Sequence, residues 1–153
     1  CDAVKLEGGK KISKIIKYLV NKKIPVMGHI GLMPQTSKNF KFKGRNLVEK
    51  KKILEDAVSV SNSGAFAIVI ECVVENLAKK ISKEISIPTI GIGASRYCDG
   101  QILVTEDMLG LSDITPKFVK QYSNLRKIIE KSVKSYAKDV KLKKFPSMKN
   151  VYK

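Results

Sequence analysis

Short runs of β-forming residues alternate with segments of helical periodicity along most of the chain. Residues 3–7 ("AVKLE") read as a strand and 10–22 as a helix; 24–30 ("IPVMGHI") read as a strand, followed by a polar loop over 33–45. The pattern predicts a helix over 47–62 with Gly64 as its C-terminal stop, a strand over 66–71 and a helix over 74–85. Strands follow at 88–93 and 101–104, and Pro116 precedes a helix at about 121–139. Strands that alternate with helices make a parallel sheet whose crossovers are right-handed. Two architectures satisfy this: an open doubly wound sheet and a (β/α)8 barrel. No GxGxxG opens a helix, and "GIGAS" (91–95) matches only in part.

The strand ends favour the barrel. Side chains alternate along a strand, so Lys5 and Glu7 share one face while Val4 and Leu6 take the other. His29 ends the next strand, and Glu71 ends the apolar run "AIVI" after it. Three consecutive strands thus deliver Lys5 with Glu7, His29 and Glu71 to one rim, where parallel α/β barrels carry their chemistry. A complete barrel has eight strands and about 250 residues. Five strands in 153 residues mean an open sheet or about three βα units missing upstream. The start at Cys1 rather than Met fits the second, and the 153 residues are expected to form a single domain.

Partial desolvation of a carboxylate at the mouth of an apolar strand disfavours its charged form, which suits a general base. That is one reading of Glu71; the plainer one is a strand-end acid paired with one of many lysines. Glu7 either pairs with Lys5 or offers a hard oxygen to Mg²⁺, and one carboxylate alone does not make a metal site. Lys5 is able to neutralise a substrate carboxylate as a point charge, and His29 taken alone is more often structural. The single histidine argues against a His/Cys zinc site. Cys72, one step past Glu71, reads as a small core residue, and Cys98 as an unreactive loop cysteine.

The net charge of +16 raises the reading of a basic nucleic-acid-binding module. Its distribution speaks against that. Lys10, Lys11, Lys14, Lys17, Lys22 and Lys23 flank a stripe of Ile12, Ile15, Ile16 and Leu19, the outside of an ordinary amphipathic helix. Lys50, Lys51 and Lys52 precede Ile53, Leu54, Ala57 and Val58 in the same way, and no aromatic residues interleave as a stacking platform. No apolar run approaches the ~20 residues of a membrane span. Three cysteines without a CxxC, and no signal peptide at the start given, fit a reduced, cytoplasmic compartment.

Six blocks in order, "KLEGG" (5–9), "PVMGHIGLMPQ" (25–35), "IVIECV" (68–73), "IPTIGIGAS" (87–95), "CDGQILVTEDMLGL" (98–111) and "PKFVKQY" (116–122), resemble the C-terminal part of the ketopantoate hydroxymethyltransferase family. The resemblance implies a (β/α)8 TIM barrel of the phosphoenolpyruvate/pyruvate superfamily type, here with about the last five βα units. It implies Mg²⁺-dependent transfer of a hydroxymethyl group from 5,10-methylenetetrahydrofolate to 3-methyl-2-oxobutanoate, giving 2-dehydropantoate for pantothenate synthesis. It implies a homo-oligomer, often a decamer. The family's motifs map its metal-ligating glutamate to Glu7, its keto-acid lysine to Lys5, its proton acceptor to Glu71 and a histidine near the substrate to His29. Val74 stands where the family has proline, Ser95 replaces the glycine of "GIGAG", and Met33 replaces the threonine of "GLTPQ". The family's two aspartate metal ligands and a substrate-contacting serine belong to an N-terminal part with no equivalent here, so the chain alone is expected to be inactive. Another lyase of α-keto acids or phosphoenolpyruvate on the same barrel, and a half-barrel without chemistry, are the alternatives.

Overall fold

The structure is a computed structural model that describes residues 1–37 and 41–152. The chain divides into two compact units, 1–102 and 103–153.

In the first unit, strands β1 (Val4–Glu7), β2 (Val26–Gly31), β3 (Ala67–Glu71), β4 (Thr89–Ile92) and β5 (Gly100–Gln101) form one sheet. All four pairings are parallel. The strand order is sequential, β1-β2-β3-β4-β5, with no reversal of the kind a doubly wound sheet requires. Helices α1 (Ser13–Asn21), α2 (Leu47–Asn62) and α3 (Glu75–Glu84) supply the crossovers. A short 3-10 turn, Lys10–Ile12, leads into α1.

The helices cover one face of the sheet. Ile16 of α1, Ala57 and Val60 of α2, and Ala78 and Ile81 of α3 pack with Val26, Ile30, Ile68 and Ile70, all at most 1% exposed. Burying each such isoleucine or valine contributes about 1.5–3 kcal/mol. By alternation the opposite face carries Lys5 and Glu7, Met27 and His29, and Ala67, Val69 and Glu71.

Local signals account for the boundaries. Asn46 caps α2: its Oδ1 accepts the Glu49 N–H at 2.9 Å, and Glu49 Oε2 in turn accepts the N–H groups of Gly44 and Arg45. Gly64, at φ +89°, ends the same helix in the left-handed region. The expected stripe of α1 is narrower than its sequence pattern. Ile16 is buried, but Ile15 is 53% exposed. The lysines of that segment are all exposed, as a solvated helix face requires.

The strand expected over 101–104 is reduced to Gly100–Gln101. Ile102 still donates its N–H to Gly91 O. Val104 then takes an extended conformation as the N-cap of α4 (Thr105–Leu109), so the run "LV" feeds a helix instead of the ladder.

The second unit contains α4 and α5 (Leu125–Lys141). Gly110 ends α4 in the left-handed region at φ +69°. The helix expected from 121 begins four residues later because the Asn124 side chain caps it, accepting the Lys127 N–H at 3.1 Å. The Tyr122 N–H bonds Met108 O, and Arg126 pairs with Asp113. No described residue of α5 is buried.

Candidate active site

The register of the sheet builds the site. Glu7 lies directly opposite His29, and Glu71 lies opposite Gly31, one side-chain step further along. Glu7, His29 and Glu71 therefore share one face at the C-terminal rim, in a diagonal across three strands. Lys5, Glu7, His29 and Glu71, expected at one rim, lie together there.

His29 is the centre of the group, with 2% of its side chain exposed. Its Nδ1 is 3.3 Å from Lys5 Nζ in hydrogen-bond geometry. The same Nδ1 is 3.6 Å from Glu7 Oε1, and Lys5 Nζ is 3.9 Å from that oxygen. On the other side of the ring, Nε2 is 3.2 Å from Glu71 Oε2. That approach is off the line of a hydrogen bond, so Nε2 is buried without a hydrogen-bond partner. Glu7 and Glu71 are themselves largely covered, at 7% and 14% side-chain exposure, whereas Lys5 is 47% exposed.

Backbone bonds beyond the strand ends hold the rim. Gly8 N–H bonds His29 O, Leu32 N–H bonds Glu71 O at 2.8 Å, and Cys72 N–H bonds Ile92 O. Gly31 makes the second of these possible. It has φ +92°, and a Cβ there would sit 2.3 Å from Glu71 O. The loop after β2 returns over Glu7, whose Oε2 accepts the Gln35 N–H at 3.3 Å. Pattern reading missed this cover for Glu7, because nothing in the spacing of "GLMPQ" reveals which carboxylate its backbone meets.

The cysteines divide differently from their expected roles. Cys98 is the one packed in the core, with its Sγ accepting from Ser82 Oγ at 3.6 Å. Cys72 is half-buried at φ +49°, past the end of β3, so strand alternation does not govern its side chain. Burial, and then the neighbouring Glu71 carboxylate, push its thiol pKa up, which makes it a poorer nucleophile.

For a divalent cation, the oxygens at this rim are the carboxylates of Glu7 and Glu71. Among the described residues no cluster of three or more His, Cys, Asp and Glu side chains is arranged to hold a metal ion. Carboxylate oxygens are hard donors of the kind Mg²⁺ takes in small number, completing its shell with other oxygens. No described helix is long and apolar enough to cross a membrane.

Residues 1–148 match the family described as ketopantoate hydroxymethyltransferase. A 3-methyl-2-oxobutanoate hydroxymethyltransferase of Pelagibacter ubique (strain HTCC1062) is 54% identical over 152 residues, which cover 99% of this chain and 59% of that protein. The proteins of the same name from Phenylobacterium zucineum (strain HLK1) and Clostridium botulinum (strain 657 / Type Ba4) are 52% and 53% identical; the matches cover 98% and 99% of this chain and 56% of each relative. The chain thus spans under three-fifths of the length of these relatives.

Proposed function

The chain belongs to the ketopantoate hydroxymethyltransferase family, a family of enzymes, and from this premise we propose that it is the base-bearing part of a 3-methyl-2-oxobutanoate hydroxymethyltransferase. The observation that carries the reading is the diagonal Glu7–His29–Glu71 on three consecutive strands, with Lys5 beside it. The sheet is then an arc of a (β/α)8 barrel. Sequential strand order, helices on one face and polar strand ends on the other support this.

In this reading Glu71 removes the proton from C3 of 3-methyl-2-oxobutanoate, and the resulting enolate carbon attacks the one-carbon unit of 5,10-methylenetetrahydrofolate. With one water consumed, the products are 2-dehydropantoate and tetrahydrofolate. Lys5 is half-exposed and carries three N–H donors, so it is free to hold the substrate carboxylate. Glu7 is the residue of this chain that would ligate Mg²⁺. Bound there with the keto acid, the ion would supply Lewis-acid polarisation of the keto oxygen. Burial of Glu71 keeps water from competing for the carboxylate.

The test is a chimera in which this chain follows the N-terminal part of the Pelagibacter relative that it does not span. With Mg²⁺ it is expected to exchange the C3 proton of 3-methyl-2-oxobutanoate in D₂O and to form 2-dehydropantoate. The isolated 153-residue chain is expected to do neither. A folded chimera that binds the keto acid without exchanging its C3 proton would overturn the proposal.

A further inference from the structure

His29 offers two ring nitrogens to partners of opposite kind. Lys5 Nζ, 3.3 Å from Nδ1, is an ammonium and has no lone pair to give. A hydrogen bond there requires a lone pair on Nδ1. Glu71 Oε2, 3.2 Å from Nε2, is a carboxylate oxygen and has only lone pairs to offer. A lone pair on Nε2 would face it repulsively. Both contacts demand the same state: a neutral imidazole with its proton on Nε2. The remaining neighbour, Glu7 Oε1, favours a proton on Nδ1, but at 3.6 Å it is the longer contact and lies beyond hydrogen-bond distance.

We propose that Lys5 sets the tautomer of His29, keeping its proton on Nε2, so that the ring presents an N–H and not a lone pair to the Glu71 carboxylate. The catalytic importance of this rests on the reading of Glu71 as the base, but the tautomer does not. Two consequences are built into the geometry. First, Lys5 spends one of its three donors on His29 and keeps others for an anionic ligand, so a single half-exposed lysine serves both tasks. Second, the Nε2–H is 2% exposed and has no partner in line. It is held beside the Glu71 carboxylate, 3.2 Å from Oε2.

The chain has a single histidine, so its imidazole is directly assignable. In the ¹⁵N-labelled 153-residue chain, NMR is expected to show one ring N–H, on Nε2, protected from exchange with water. A proton on Nδ1, or protons on both nitrogens, would overturn the proposal. In Lys5→Met, where the Glu7 carboxylate becomes the nearest group to Nδ1, that nitrogen is expected to gain a proton. Lys5→Arg, which keeps a cationic donor, is expected to restore the Nε2-only state. A Lys5→Met variant that keeps the wild-type tautomer would remove Lys5 from the role. Glu71→Gln is expected to move the Nε2–H resonance; an unmoved resonance would remove Glu71 as the group that this N–H faces. These readouts need no turnover, so failure of the hydroxymethyltransferase reading would appear separately, as a chimera without proton exchange.

Discussion

Gly28 and Val60 approach so closely that no side chain fits between them: a Cβ on Gly28 would sit 2.3 Å from Val60 Cγ1. The contact seats α2 on β2, the strand that ends on Gly31 just after His29. Val60 is fully buried and β-branched, so it cannot rotate away without displacing its neighbours. Gly28→Ala is therefore expected to destabilise the fold by about 1–3 kcal/mol, the usual cost of overpacking a core. Urea unfolding measures it. Adding Val60→Ala makes room for the new methyl group, so the double variant is expected to lose less than the sum of the two singles. Full additivity would mean that the two side chains do not compete for space.

A second prediction concerns acid. Asp99 Oδ2 accepts both the N–H and the hydroxyl of Thr89 at 2.8 Å, tying the start of β4 to the loop that leads into β5. These bonds, the backbone one first, hold the Asp99 carboxyl below its ordinary value of 3.8. A carboxyl lowered in the folded state stabilises the fold above its unfolded pKa. That contribution is lost as the pH falls through the folded value. Asp99→Asn is thus expected to be less stable than the wild type near neutral pH, with the difference shrinking below about pH 4. Urea midpoints from pH 7 to 2 for both proteins test this. A gap that stays constant would show that the charge contributes nothing.

Much of the site was legible because strand alternation has a period of two. Given β1, β2 and β3, the side on which Lys5, Glu7, His29 and Glu71 project follows from counting, and the helix over 47–62 begins and ends where its signals put it. What was not legible depends on contacts between distant segments. The Lys5–His29 bond requires the register of β1 on β2, which no local pattern carries. The same holds for the return of Gln35 onto Glu7. α4 has five residues, too few to display a helical period, and the apolar run before it imitated a strand. Cys72 escaped alternation because its positive φ ends the strand.

The third prediction concerns Ser95. It is 1% exposed and donates its hydroxyl to Glu75 Oε1 at 3.0 Å. Ser95 Oγ in turn accepts the Tyr97 N–H at 3.1 Å. Ser95 therefore joins the loop after β4 to the first turn of α3, directly after the loop that follows Glu71. Ser95→Ala removes one bond and strands the Tyr97 amide. The expected loss is about 1 kcal/mol, at the ordinary worth of a hydrogen bond. Glu75→Gln leaves an acceptor for the hydroxyl and is expected to lose less. Equal stability of Ser95→Ala and the wild type, measured by thermal unfolding, would show that the link is idle.

The last prediction separates the chemistry of Glu71 from its packing. Glu71 closes β3 with 14% of its side chain exposed, and its Oε2 lies 3.2 Å from His29 Nε2. Glutamine has the same shape and removes the charge without opening a cavity. In the chimera, Glu71→Gln is expected to lower the rate of C3 proton exchange by about 10²–10⁴-fold, the range for removing a positioned general base. The melting temperature is expected to change little, since the wild-type carboxylate makes no in-line hydrogen bond with His29. Glu71→Asp keeps the base but draws it back by one methylene, so it is expected to fall between the two. Binding of the keto acid, read by calorimetry, is expected to survive in both variants because Lys5 is untouched. Exchange that persists undiminished in a folded Glu71→Gln chimera would take the proton transfer away from Glu71.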